Sequence, residues 1–120
     1  MTAPNPQQRL QSLSEEYQNL QTDLQTQITS RQRLESQQQE NLAVRKEFNI
    51  LSDDSTIYKL IGPVLLKQEK TEAESAVDGR LDFIEKEIKR VEQLISDMQE
   101  QSEGKKMEVY QLQMKMQEAK

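Results

Sequence analysis

The side chains with the clearest capacity for chemistry are paired carboxylates: Asp53 with Asp54, Glu72 with Glu74, and Glu85 with Glu87. Two carboxyls can divide acid and base roles only where a concave, partly dry pocket drives their pKa values apart. The sequence around them supplies polar helix rather than pocket walls, so solvated carboxylates are expected. The chain has no His and no Cys, which removes the usual general base, thiol chemistry and zinc-thiolate sites. Gly62, Gly79 and Gly104 stand alone and form no phosphate-cradling loop. No enzyme, metal site or cofactor is expected. The basic pairs Arg45-Lys46, Lys89-Arg90 and Lys105-Lys106 lie among acids in a chain of net charge −5. Neither nucleic acid nor an anionic membrane is expected as a partner, since both select a basic face.

What remains are side chains that bind rather than react, and one segment concentrates them: Thr56-Ile57-Tyr58-Lys59-Leu60-Ile61-Gly62-Pro63-Val64-Leu65-Leu66-Lys67. It is rich in β-branched and aromatic residues and broken at its centre by Gly-Pro, the pattern of two short strands joined by a turn. A lone hairpin is marginal in water. Ile57, Tyr58, Leu60, Ile61, Val64, Leu65 and Leu66 put apolar groups on both faces, and both strand edges need partners. Packing back onto its own chain is one outcome; sheet formation between subunits answers both requirements and is the favoured one.

The elements that must carry this segment are helical. Leu10, Leu13, Tyr17, Leu20 and Leu24 recur at three and four residues, an a/d heptad seam. The same frame continues through Gln27, Arg31, Leu34, Gln38, Asn41, Arg45 and Phe48, so the seam turns polar in its middle. After the insert, Thr71 and Glu74 have capping-box spacing, and Val77, Leu81, Ile84, Ile88, Val91, Ile95 and Met98 alternate without a break. Ser102 and Lys105 interrupt this second seam beside Gly104, and it resumes at Val109, Leu112, Met116 and Ala119. Gly104 marks a soft spot in the helix.

The expected organisation is one mainly α domain. It has a disordered stretch over 1–8, a coiled-coil helix over 9–51, a loop (Ser52 to Ser55) and β-hairpin over 52–68, and a second coiled-coil helix over 69–120. The hairpin reverses the chain, so the helices pair antiparallel. One good register sets Leu13 by Val109, Leu34 by Ile88 and Arg45 by Val77; a shift of one heptad is the alternative. Some 40 residues of helix make an arm on the order of 60 Å long. Only 33% of residues are hydrophobic and 4% aromatic, too little for a globular core. No run approaches a membrane span, and Met1-Thr2-Ala3-Pro4-Asn5-Pro6 lacks the apolar core of a signal peptide. A reducing, cytoplasmic setting is expected.

A second binding surface is expected where the termini meet. Leu10, Leu13, Tyr17, Val109, Tyr110, Leu112, Met114 and Met116 gather there, and Tyr110 and Met114 fall outside the seam. Met-rich surfaces adapt to varied partners. Residue types alone leave open whether this is a binding surface or a coil end rich in helix-forming Met.

Tyr58-Lys59-Leu60-Ile61-Gly62-Pro63-Val64-Leu65-Leu66-Lys67-Gln68, followed by Gly79-Arg80-Leu81-Asp82-Phe83-Ile84, resembles the β-class subunits of eukaryotic prefoldin. The resemblance runs from about Arg9 to the C-terminus. It implies a hexamer of two α-class and four β-class subunits whose hairpins join into an inter-subunit β-barrel carrying coiled-coil tentacles. It further implies ATP-independent capture of non-native proteins, such as nascent actin and tubulin, at the tentacle tips and delivery to the cytosolic chaperonin. Assembly then falls on Ile57 to Leu66 and client capture on the apolar residues near both termini. Heptads alone equally suit a structural adaptor or tether joining two folded partners; the β-rich insert is what separates the readings.

Overall fold

In a computed structural model, described over residues 5–52 and 56–118, the chain forms two helices joined by one hairpin. The order is α1 (Pro6–Ile50), β1 (Ile57–Ile61), β2 (Val64–Gln68) and α2 (Lys70–Glu118). This is the expected fold class. The chain divides into two compact units, Met1–Arg31 with Val91–Lys120, and Gln32–Arg90. They are called the terminal unit and the hairpin unit below.

Helix α1 begins at Pro6, three residues earlier than expected. Asn5 is its cap: Asn5 Oδ1 accepts from Gln8 N at 2.8 Å, and Asn5 O accepts from Arg9 N at 3.0 Å. Pro6 then occupies the first helical position, where a missing N–H costs nothing and the ring presets φ. A proline read as a mark of disorder is here a helix starter; residues 1–4 of that expectation lie outside the described residues. Helix α2 also starts differently. Its first bond runs from Ala73 N to Glu69 O at 3.0 Å, so Thr71 lies inside the helix and the capping box does not form. Glu74 is engaged elsewhere, 3.6 Å from Arg45 and 3.7 Å from Lys70.

The heptad seams are the buried stripes of both helices. Every seam position from Leu10 to Phe48 on α1, and from Val77 to Met116 on α2, is buried or half-buried. Ala119 lies outside the described residues. In the terminal unit the most deeply buried side chain is Val91, 2% exposed. Cross-helix bonds there bracket the register that sets Leu13 by Val109. Gln21 Nε2 donates to Ser102 Oγ, Lys105 Nζ lies 2.8 Å from Glu16 Oε2, and Arg31 Nη2 donates to Glu92 Oε1 at 3.0 Å. The two polar interruptions of the α2 seam are therefore each answered from α1. The hydrogen bond to Glu16 raises the Lys105 pKa above its usual value. This pair's contribution is thus complete below the ordinary lysine range and fades as pH climbs through the raised value.

Gly104 is exposed, and a Cβ built on it meets nothing within 4 Å. Replacing it with Ala therefore adds helix propensity of about 1 kcal/mol without a clash. Gly104→Ala is expected to raise the thermal midpoint by about 4 °C and to slow amide exchange over residues 100–108. Unchanged exchange there would remove the idea of a soft spot.

Candidate functional site: the hairpin and the terminal surface

The hairpin unit shows why the insert cannot be satisfied by its own chain. Strands β1 and β2 pair antiparallel, with Leu60 opposite Leu65 and Ile61 opposite Val64. They turn at Gly62-Pro63, where Gly62 has φ +58°. A positive φ followed by the ring-fixed negative φ of proline is the sign pattern of a type II′ turn, which suits the twist of a two-residue hairpin. Residues alternate between faces, so Ile57, Lys59, Ile61, Val64 and Leu66 share one face and Tyr58, Leu60, Leu65 and Lys67 the other.

The chain's own core reaches only the root of the first face. Phe48, Ala73 and Val77 form a buried cluster, with Leu51, Ile57 and Leu81 packed against it. Ile57 thus anchors the hairpin to its own coil as well as belonging to the apolar set. The rest stays in solvent: Leu60 is 67% exposed, Leu65 63% and Tyr58 59%, with Ile61, Val64 and Leu66 about half exposed. Apolar side chains left open on both faces of a two-stranded sheet, with two unpaired edges, describe a surface built to be covered.

Polar groups at the base of the coil hold the hairpin's root. Arg45 occupies a seam position opposite Val77, where an apolar residue is the norm. Its Nε lies 3.0 Å from Asp78 Oδ1 and its Nη1 3.6 Å from Glu74 Oε2. Lys70 Nζ donates to Leu51 O at 3.1 Å, tying the start of α2 to the residue just after α1. These contacts engage Glu74 and Asp78 with cations. Among the described residues no group of three or more Asp or Glu could hold a metal ion, and no helix is long and apolar enough to cross a membrane.

In the terminal unit the expected binding residues separate into two sets. Leu13 is buried, and Leu10, Tyr17, Val109, Leu112 and Met116 are half-buried in the seam. Tyr110 and Met114 are exposed, as their off-seam positions imply, and Met107, which the sequence reading passed over, joins them at 55% exposure. The spacing 107, 110, 114 sets all three on one side of α2, at heptad positions f, b and f, turned away from α1. Labelling every methionine by heptad position, rather than only those near the chain end, would have found Met107. The same labelling would have drawn out Phe83, 63% exposed at position c.

Comparison with known proteins gives a consistent picture. The chain matches the family described as "Prefoldin subunit" over residues 11–116. It is 44% identical over 113 residues to a protein of Bos taurus named prefoldin subunit 6, covering 94% of this chain and 88% of that one. It is 47% identical over 103 residues to the protein of the same name from Saccharomyces cerevisiae, covering 86% and 90%. Among solved structures it is similar to the crystal structure of the prefoldin beta subunit from Thermococcus strain KS-1, with a TM-score of 0.79 at 20% identity, covering 91% of this chain and 94% of that one. The beta2 subunit from the same source gives 0.66 at 22%, covering 76% and 97%. At those identities the structural likeness bears on the fold alone.

Proposed function

The chain belongs to the prefoldin family, and from that membership we propose that it is a β-class subunit of a hexameric, ATP-independent co-chaperone. Prefoldin subunits are chaperone components, and membership brings assembly with other prefoldin subunits. In the proposed complex this chain joins two α-class and three further β-class subunits in the cytoplasm. Its hairpin contributes to a shared β-barrel through Ile57 to Leu66. Its terminal surface grips non-native proteins, with nascent actin and tubulin as the clients the family reading implies, and hands them to the cytosolic chaperonin.

The observation that supports assembly best is the hairpin with apolar groups exposed on both faces. A tether that joins folded partners through its coil has no use for such an element. Capture is supported by the exposed stripe Met107, Tyr110 and Met114 beside the two termini. Work without a nucleotide fits a mechanism of reversible apolar contact, in which client release follows from competition rather than from a chemical step.

The test is native mass spectrometry of this chain purified gently from its own cells. The expected species contains six small subunits, each near the 14.0 kDa of this chain. Recovery as a homodimer, or bound to one large folded protein, would overturn the reading in favour of a tether.

A further inference from the structure

The segment Gly79-Arg80-Leu81-Asp82-Phe83-Ile84 turns Leu81 and Ile84 into the coil seam. Its other residues, Gly79, Arg80, Asp82 and Phe83, are exposed. Phe83 is 63% exposed. Its ring borders a groove of about 400 Å³ lined by Gln37, Asn41, Gly79, Arg80, Phe83 and Ile84. The position of a Cβ on Gly79 is open space, so the backbone lies bare in that groove. Arg80 also lines a second groove, of about 200 Å³, formed where the hairpin meets the coil and lined by Val44, Phe48, Ile57 and Lys59 among others. Arg80 therefore borders both the groove at the hairpin's root and the Phe83 groove.

Charge adds a constraint on what fits there. Arg80 makes no ion pair among the described residues. Among the described residues no carboxylate lines either groove, and Asp78 and Asp82, two residues away along the helix, pair with Arg45 and Lys86. Arg80 and Lys59 therefore give this junction a local positive charge in a chain of net charge −5. An exposed aromatic ring flanked by an uncommitted guanidinium is the composition of an interface anchor, and a carboxylate satisfies the guanidinium with two parallel hydrogen bonds.

We propose that the groove at Gly79, Arg80 and Phe83 seats an apolar, carboxylate-bearing segment of a neighbouring prefoldin subunit. The assembly interface then runs from the hairpin onto the outer face of α2. This extension rests on the reading of the hairpin as the assembly element. It makes Phe83 the apolar anchor and Arg80 the residue that selects an acidic neighbour over a basic one.

The experiment expresses tagged full-length Phe83→Ala and Arg80→Glu in the chain's own cells, purifies the complexes, and follows their dissociation on serial dilution by native mass spectrometry. Both side chains are exposed, so helicity by circular dichroism should match the parent chain. The expected result is that each variant complex falls apart at a concentration at least tenfold higher than the parent. Parent-like dissociation of both variants would overturn the inference, whatever Leu65→Asp does. Leu65→Asp, run alongside, reports on the hairpin reading by itself. If the variants instead alter only self-association of the isolated chain, the occupant is a second copy and the proposed neighbour is wrong.

Discussion

Leu65→Asp is expected to leave both helices formed and to abolish the chain's assembly. Leu65 pairs with Leu60 on the hairpin face turned away from the coil cluster, and it is 63% exposed in the single subunit. A carboxylate there stays hydrated while the subunit is alone, so it costs the subunit almost nothing. Covered by a partner's apolar strand, the same carboxylate loses its water without gaining a cation, a penalty of several kcal/mol. At 1.4 kcal/mol per tenfold, that weakens the contact by a thousandfold or more. Ile61→Asp tests the other face, the one whose root is closed by Ile57 against Phe48 and Val77. Ile61 lies beyond that root and is 51% exposed, so it too should block assembly without unfolding the coil. Circular dichroism checks the helices and native mass spectrometry counts the subunits. An intact hexamer with Leu65→Asp would refute the assembly role of the hairpin. An intact hexamer with Ile61→Asp alone would confine that role to the face carrying Tyr58, Leu60 and Leu65.

Much of this arrangement is legible in the sequence because heptad geometry does not depend on residue type. Gln27, Arg31, Gln38, Asn41 and Arg45 occupy seam positions and are half-buried there, although nothing in their chemistry asks for burial. The period placed them, since regular helical geometry cannot turn individual side chains out of their stripe. The hairpin is legible for a similar reason: Gly-Pro between two short, mainly apolar runs has few other conformations.

Other features depend on distances that a single sequence does not contain. The pairing of Lys105 with Glu16 spans the whole chain and follows only once the register is chosen, and spacing alone admits a shift of one heptad. The start of α1 turned on a local competition, in which the Asn5 side chain offers a cap and makes Pro6 an asset. At α2 the competition went the other way. Glu74 is within reach of Arg45 and Lys70, two cations, and a neutral backbone amide near Thr71 is a weaker partner. The exposed Phe83 and Met107 were hidden among charged neighbours on a helix, where apolar residues off the seam carry no periodic signal. Ile57 had one role by its neighbours in sequence and acquires a second by its neighbours in space.

The terminal surface yields the other large expected effect. A triple change, Met107→Ser with Tyr110→Ser and Met114→Ser, removes the outward stripe of α2 and leaves the seam intact. Full burial of such a side chain is worth about 2 kcal/mol. Three that are already partly shielded sum to about 3 kcal/mol, roughly a hundredfold in this subunit's grip on an unfolded chain. In the proposed hexamer the other subunits would keep their own ends and bind in parallel. The readout is therefore a several-fold rise in the amount of purified complex needed to suppress aggregation of a denatured client, with the hexamer still counted as six. Deleting residues 110–120 is expected to have at least as large an effect, but it also strips Leu112 and Met116 from the seam, so a loss there mixes capture with coil stability. The triple variant separates them, because its targets are at least 42% exposed and their loss should barely move the thermal midpoint. Unchanged suppression by the triple variant, with suppression lost on deletion, would move capture from the outer stripe to the seam. Leu10, Leu13, Tyr17, Val109, Leu112 and Met116 would then reach a client only when the end of the coil opens.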